Sequence, residues 1–493
     1  MPAISLPSPV GGWNARDSWD SMPPDDAILL ENWIPDAGYV RSRGGFSSFC
    51  TGLGGDVETL VEFSAGGVNK FLAAANSKIF EVSTGTASEL GTGYTNNRWQ
   101  SLATHDKLVL FNGSDGPLVY DGSTLGSFTD TDTVGAAGFI GGGMFKQRAF
   151  YFKDNAQSFF YANAGSFQGN LTEFDLSLWL NGGGDLINFF TWTRDSGDGL
   201  DDLAVFVFSS GEALVYKGSN PGDATDWSLV GRFSIGEPLS FRGHARLGGD
   251  EIVLTRDGWL NIESALTNGR VTDVGGIGGK IVGAAKEAAN NFGSNYGWEC
   301  IFYPKGNQLI INVPAATNST YQQHVLNTNT GQWCSFSGMN ARTFGVYREN
   351  LYFGGNGVVY RADDGSSDDG EAIDRKVIPA FFYFENRARQ KQLTGIQPVT
   401  DYSRPGLIAV TGGADYRLPA LPAAIAPTGT GATTPWGSAW GSEWGGGAFP
   451  LTKQWSSVSA FGYALTYYLR LQARENDVKW YATDLMYNLG GTV

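Results

Sequence analysis

The stretch LVLFNGSDGPLVYDG, Leu108–Gly122, contains an apolar strand, a turn of Asn, Gly, Ser and Asp, and a second strand that ends near an aromatic residue. Asn112-Gly113 and Asp115-Gly116 are dipeptides that favour hairpin turns, because the central residues of such turns adopt positive φ. The stretch therefore predicts a β-hairpin.

The same strand–turn–strand pattern recurs along most of the chain. Consecutive copies start 37 to 57 residues apart, which is centred on the spacing of a four-stranded propeller blade. Two short strands cannot bury both of their faces alone, whereas blades around an axis bury them mutually. The hairpins predict a β-propeller of about seven blades, with six or eight as the alternatives. The other six copies begin at Phe71, Ala149, Ala204, Ile252, Leu309 and Leu351.

The pattern of short hairpins ends near the acidic turn Asp363–Gly370, after which longer alternating strands follow. We predict an all-β chain with the propeller over residues 51–374 and a β-sandwich-like domain over residues 375–493. Residues 1–50 are predicted either to close the propeller or to contact a neighbouring subunit.

Helix signals are few. An Ala-rich stretch near Ile281–Asn291 predicts one short helix, and Asp25 or Asp26 is a candidate cap for a single further turn.

A Trp- and Gly-rich loop over residues 431–449 interrupts the C-terminal domain. Trp436, Trp440 and Trp444 recur at every fourth position among Gly and Ser, so they are candidate interface residues. The alternative is that the loop folds back onto its own domain.

Composition restricts the partners. The chain has 493 residues, of which 34 are Lys or Arg and 49 are Asp or Glu, so its net charge is −15. Nucleic-acid binding depends on basic side chains that release counterions, so a protein that binds DNA tightly is disfavoured.

The N-terminal sequence predicts no membrane insertion. Cys50, Cys300 and Cys334 are predicted to be reduced core residues.

The chemistry of an enzyme is hard to find in this sequence. His105, His244 and His324 are isolated, and they fit neither a Ser-His-Asp arrangement nor a zinc site. No nucleotide-binding or metalloprotease motif occurs. We expect no catalytic residues, no cofactor and no metal, and the protein is predicted not to be an enzyme. A glycosidase needs only two carboxylates, so degradation of a polysaccharide stays open.

Four N-terminal segments resemble the opening of a known family. These segments are Gly11–Asp17, Met22–Ala27, Glu31–Pro35 and Gly38–Gly45. There, in VLNTNTGQW at its centre and in its last strand VKWYATDLMYNLGG, the chain is similar to the tail nozzle proteins of short-tailed bacteriophages, also called tail hub or packaged-DNA stabilisation proteins.

The resemblance implies a virion protein in the phage tail, assembled in the host cytoplasm. It implies a homohexameric ring below the portal and the adaptor protein, in contact with tail fibres or tailspikes, through which packaged DNA is retained and later ejected without sequence-specific binding. Asn14 and Asp17 of the motif are predicted to shape a turn. Arg41 and Arg43 are candidates for a bridge to a neighbouring subunit, with an ion pair inside the same subunit as the alternative.

The sequence therefore predicts a structural nozzle subunit. The alternative function is a virion-surface propeller that binds or degrades host carbohydrate.

Overall fold

The computed structural model describes the chain except at a few positions. The described residues are 3–131, 134–195, 200–264, 276–316, 319–384, 386–401, 407–425, 452–474 and 478–490.

Short strands make up most of this structure. In chain order they are β1 (Ala3–Pro7), β2 (Gly12–Trp13), β3 (Asp26–Glu31), β4 (Trp33–Asp36), β5 (Tyr39–Ser42), β6 (Phe46–Asp56), β7 (Thr59–Ala65), β8 (Val68–Ala75), β9 (Lys78–Glu81), β10 (Ser88–Thr92), β11 (Gln100–Thr104), β12 (Lys107–Phe111), β13 (Leu118–Tyr120), β14 (Leu125–Ser127), β15 (Phe139–Phe145), β16 (Arg148–Lys153), β17 (Ser158–Ala162), β18 (Leu171–Asp175), β19 (Leu186–Asp195), β20 (Leu200–Phe208), β21 (Glu212–Lys217), β22 (Ser228–Ser234), β23 (His244–Leu247), β24 (Asp250–Thr255), β25 (Gly258–Asn261), β26 (Glu299–Tyr303), β27 (Gln308–Ala316), β28 (Thr320–Asn327), β29 (Gln332–Phe336), β30 (Thr343–Tyr347), β31 (Asn350–Gly354), β32 (Asn356–Ala362), β33 (Ile373–Pro379), β34 (Lys391–Thr400), β35 (Ile408–Ala414), β36 (Thr452–Lys453), β37 (Ser456–Gly462), β38 (Leu465–Ala473) and β39 (Lys479–Leu489).

Helical structure in the part of the chain just defined is limited to residues 262–264 and four short elements. One α-helix, α1, spans Val282–Phe292, and 3₁₀ turns lie at Ala136–Gly138, Ser177–Trp179 and Gly279–Ile281. The predicted Ala-rich helix is confirmed. The helical turn after Asp25 or Asp26 is wrong, because that segment is strand β3, and Asp26 accepts a hydrogen bond from the side chain of Asn14 instead of capping a helix.

The chain forms two compact units. The propeller unit consists of Ser48–His324 and Met339–Ala362, and the sandwich unit consists of Met1–Ser47, Val325–Gly338 and Asp363–Val493. The propeller unit thus ends at the predicted acidic turn. The sandwich unit differs from the predicted C-terminal domain because it also contains the N-terminal segment and a central excursion of the chain.

Seven small sheets build the propeller unit, so the predicted all-β propeller fold is confirmed. Five of them have four strands each, namely β7–β10, β11–β14, β15–β18, β19–β22, and β30–β32 together with β6. The fifth sheet in chain order has the three strands β23–β25, and the sixth contributes β26, β27 and β28 to this unit. First strands of neighbouring sheets pack together, and β30 packs against β7 to close the ring.

Each predicted hairpin forms the second and third strands of one sheet, counted in chain order from the first strand of that sheet. In the first sheet, Asn76 and Ser77 both have positive φ between β8 and β9, as the predicted turn requires. The turn at Asn112-Gly113 is longer than the two-residue turn that this dipeptide favours: β12 ends at Phe111, and β13 begins only at Leu118. The Asn112 side chain shapes this longer turn by accepting hydrogen bonds from the N–H groups of Ser114 and Asp115.

Apolar side chains fill the spaces between neighbouring sheets. Phe150, Phe159 and Phe206 stack between the third and fourth sheets, with ring centroids 4.7 Å apart for Phe159 and Phe206. Phe71 and Tyr347 stack at 5.0 Å between the first and seventh sheets. The three cysteines are buried and reduced, as predicted.

The sandwich unit has two sheets. One follows the order β36-β34-β39-β5-β4, with β1 beside β39 and β37 beside β34. The other follows β29-β3-β33-β38-β35, with β2 beside β3. They face each other, since Tyr467 of β38 and Thr483 of β39 are buried and hydrogen-bonded at 2.9 Å. The predicted additional β-sandwich-like domain is confirmed in this unit.

Candidate functional site

The N-terminal motif folds into a hydrogen-bonded turn within the sandwich unit. Asn14 is buried, and its side-chain N–H groups donate to Asp17 at 2.8 Å and to Asp26 at 2.7 Å. Its amide oxygen accepts the backbone N–H groups of Arg16 and Asp17, both at 3.0 Å. Asn14 and Asp17 therefore shape a turn, as predicted.

Arg43 lies in the core of the sandwich unit, with a side chain only 1% exposed. Its Nε donates to Asn32, while Nη1 and Nη2 both reach the carboxylate of Asp368, at 2.8 and 2.6 Å. The remaining donors bind the carbonyl oxygens of Gly44 and Ser337. A guanidinium has five N–H donors, and here all five are used.

Arg43 thus forms the ion pair inside the same subunit that was the alternative to a bridge, with its donors occupied by its own chain. Arg41 is more accessible, with 27% of its side chain exposed, and pairs with Asp36 of its own unit at 3.5 Å. Its role at an interface stays a prediction. Trp436, Trp440, Trp444 and the loop over residues 431–449 lie outside the described residues.

The three histidines occupy separate places in the propeller unit. His105 is exposed in a turn, and His244 contacts Glu251 at 2.6 Å. His324 is buried, and Trp259 Nε1 lies 3.4 Å from its Nδ1. Burial lowers the pKa of His324 to about 4. Within the described ranges, no three His, Cys, Asp or Glu side chains are grouped so that they could hold a metal ion.

A cavity of about 300 Å³ lies where several first strands of the propeller sheets begin. This axial cavity is lined by Arg98 and Gln100 at β11, Arg242 before β23, Glu299 at the start of β26, and Arg342 before β30. The chain after α1, including Ser294 and Tyr296, completes the wall. First strands converge at a propeller axis, so residues far apart in sequence meet here.

Arg242 crosses this end of the axis. Its Nη1 donates to the carbonyl oxygen of Glu58 at 2.7 Å and to Thr343 Oγ1 at 3.2 Å. Its Nη2 donates to Thr59 Oγ1 at 2.8 Å and to the carbonyl oxygen of Trp99 at 2.7 Å. One side chain from the fifth sheet is therefore hydrogen-bonded to residues at the starts of the first, second and seventh sheets.

Glu299 and Arg98 add charge to the same cavity. Glu299 accepts the N–H of Phe344 at 2.7 Å, and desolvation raises the pKa of its carboxyl group. The Arg98 guanidinium lies 3.8 Å from the ring centroid of Tyr296, and its Nε donates to Glu58 at 3.2 Å. The axial cavity thus combines cationic groups with a carboxyl group that desolvation biases toward its neutral form.

A second concave region, the acidic groove, lies on the third sheet of the propeller unit and its connection to the fourth. Its volume is about 660 Å³, and it is lined by Glu173, Asp175 and Asp185 together with amide and hydroxyl side chains. Ser158 Oγ donates to Glu173 at 2.6 Å. The backbone N–H of Ser177 donates to Asp175 at 2.8 Å and lowers the pKa of that carboxyl group.

Neither region was identified from the sequence. Arg242 lies in SFRGHARL, a stretch that matches no binding motif, and its partners come from three other sheets. The available signal was positional, since Arg98, Arg242 and Arg342 each come one or two residues before a first strand. Glu173 and Asp175 end strand β18 and Asp185 follows a 3₁₀ turn, so in the sequence the groove carboxylates resemble ordinary acidic residues of strands and loops.

Comparison with known proteins gives only distant structural similarity. No family model matches the chain, and no curated protein matches it. Among solved structures, "YCF48 bound to D1 peptide" has a TM-score of 0.40 and 8% identity, and the match covers 69% of this chain and 99% of that chain. YCF48 from Cyanidioschyzon merolae has a TM-score of 0.39 and 12% identity over 65% of this chain and 98% of that one. BBS1N in complex with ARL6DN has a TM-score of 0.38 and 10% identity, covering 69% of this chain and 99% of that chain. No helix in the described part of the chain is long and apolar enough to cross a membrane.

Proposed function

We propose that the chain is a structural subunit of the tail nozzle of a short-tailed phage. In this proposal six copies form a ring below the portal and adaptor proteins, and the ring retains packaged DNA and conducts it during ejection. The resemblance of the N-terminal motif supports the assignment.

One observation carries the assembly part of the proposal. The sandwich unit exposes large apolar side chains in and beside β37 and in the segment that follows β35, and Phe461 is 57% exposed. Strands β35 and β37 contact each other, so these side chains belong to one region. Exposed apolar patches rich in aromatic residues are typical of protein interfaces. This apolar surface consists of Tyr416, Leu418, Leu421, Ile425, Trp455, Phe461 and Tyr463.

Charge is consistent with a conduit. A net charge of −15 repels phosphates, so DNA is not held along the wall while it moves. Arg242 and its partners occupy one end of the propeller axis. The DNA passage in the proposed ring therefore lies between copies of the chain and does not follow the axis of a single propeller.

Mass photometry and electron microscopy of the purified full chain test this proposal. We expect closed rings with six times the protomer mass of 52.9 kDa. Phe461→Asp places a charge in the apolar surface and is expected to shift the population to smaller species without unfolding the chain. Val68→Asp is the matched control, because Val68 is also apolar and 40% exposed but lies outside this surface. A wild-type chain that stays monomeric over the whole concentration range would contradict the proposal.

The acidic groove favours a second candidate function, a propeller that binds carbohydrate. Trp179 is 47% exposed in the 3₁₀ turn that begins with the groove residue Ser177. Exposed Trp rings offer an apolar face with a polar edge, and carboxylates accept hydrogen bonds from sugar hydroxyls. Retention in affinity electrophoresis through host polysaccharide tests it. Trp179→Ala should abolish retention, whereas Trp19→Ala, which removes an exposed Trp of the sandwich unit, should not.

A further inference from the structure

The axial cavity contains hydrogen-bond donors that the fold leaves unused. The described contacts of Arg98 involve its Nε, which donates to Glu58, and the flat face of its guanidinium, which stacks on Tyr296. Its two terminal nitrogens donate to no described residue, and 46% of the side chain is exposed. This guanidinium is held in place while its outer edge faces the cavity.

The surroundings favour a negatively charged group at that edge. Arg242 and Arg342 line the same cavity, and Gln100 and Ser294 add an amide and a hydroxyl. The carboxylate of Glu58 pairs with Arg98 Nε at 3.2 Å and is not part of the cavity lining. Glu299 is the acidic residue of the lining, and burial favours its neutral form, which reduces its repulsion toward an incoming anion. The edge of a guanidinium matches the two oxygens of a carboxylate in a planar, bidentate arrangement.

Size limits the ligand to a small one. A volume of about 300 Å³ is at the lower end of the range for small-molecule sites, roughly 300–1,000 Å³. Such a space admits a compact carboxylic acid or the terminus of a peptide, and it excludes a folded partner.

We propose that the axial cavity is a binding site for a carboxylate, with Arg98 as the anchor. The two sources of this chemistry are a free small acid and the C-terminal carboxylate of a peptide. The site is independent of the proposed nozzle function, because ring formation involves the apolar surface of the other unit and is measured separately.

Isothermal titration calorimetry of the full chain with matched pairs tests the proposal. The first pair is succinate and succinamide, and the second is a capped dipeptide with a free carboxylate and the same dipeptide as its amide. We expect an acid to bind in the millimolar range and its amide to bind at least tenfold more weakly. Tighter binding of succinate identifies a free acid as the source, and tighter binding of the dipeptide identifies a chain terminus.

Two variants locate the site. Arg98→Gln removes the anchor. Gln100→Glu leaves Arg98 in place and adds a negative charge, which repels a carboxylate, to the cavity. The second variant still tests the site if the first one fails to fold. Each should weaken acid binding at least tenfold. Arg232→Gln is the control, because Arg232 lies on the edge strand β22, away from the cavity. Equal binding of acid and amide, no binding of either acid, or equal weakening by Arg232→Gln would overturn the proposal.

Discussion

The guanidinium of Arg43 lies 2.6 Å from the carboxylate of Asp368, which follows it by 325 positions in the chain. The pair is bidentate and almost completely buried. It joins the N-terminal motif to the acidic turn that begins the C-terminal part of the sandwich unit. Because the pair links two segments that are distant in the chain, its main effect is to stabilise the packing of these segments against each other.

Replacing Arg43 should therefore destabilise the sandwich unit. Arg43→Gln leaves Asp368 without its counter-charge, and breaking a buried pair on one side costs about 3–5 kcal/mol. Hydrogen exchange of peptides that contain β3, β5 and β33 should become faster. Arg41→Gln is the control, since this partly exposed arginine pairs with Asp36 at 3.5 Å and its loss should cost less than about 1 kcal/mol. Equal effects of the two variants would contradict the assigned role.

The propeller unit should depend on the shape of the Arg242 side chain and not only on its charge. Arg242→Lys keeps the cation but cannot make four hydrogen bonds to three sheets, so we expect a loss on the order of 3 kcal/mol. Urea unfolding of the propeller unit, followed by exchange of peptides from β7, β11 and β30, measures it. Arg232→Lys at the propeller edge should change stability by less than about 1 kcal/mol.

His324 should make stability fall in mild acid. Its pKa is about 4 in the folded protein against 6.5 for the free side chain, so the unfolded chain binds an additional proton between these values. The contribution of His324 to the free energy of unfolding is therefore fully present above about pH 6.5. About 3 kcal/mol of it is lost as the pH falls toward 4. His324→Gln should remove this part of the pH dependence of urea unfolding.

The glycine at position 67, in the turn between β7 and β8, should be required for its backbone conformation alone. Gly67 has a φ of +78°, and a Cβ atom there would meet nothing within 4 Å. Gly67→Ala should therefore cost about 1 kcal/mol through backbone strain. Gly116→Ala is the matched control, because that glycine also has open space but lacks a positive φ. Thermal unfolding of both variants would separate strain from packing.

Local sequence patterns predicted the hairpins well, because a turn residue and its flanking apolar strands lie within about fifteen positions. The same locality explains the errors. Asp25 and Asp26 have the chemistry of a helix cap, but the segment from Asp26 pairs with β33, whose residues lie some 350 positions away. The sandwich unit is assembled from three chain segments through such distant strand pairings. A repeat pattern within a short stretch of sequence cannot predict them. Arg242 was missed for the same reason, since its role exists only once the axis is assembled.

Strand β6 has a consequence for how the protein is made. It emerges from the ribosome before any other strand of the seventh sheet, yet its place in that sheet is beside β32, which is synthesised about 300 residues later. At roughly 5–20 residues per second this is a delay of about 15–60 s. Throughout that interval the ring of sheets stays open, and Cys50 and Leu53, buried in the finished protein, have no β32 to cover them. Nascent chains on neighbouring ribosomes can then exchange this strand, so wide spacing between ribosomes on one message should improve the yield of correctly closed monomers.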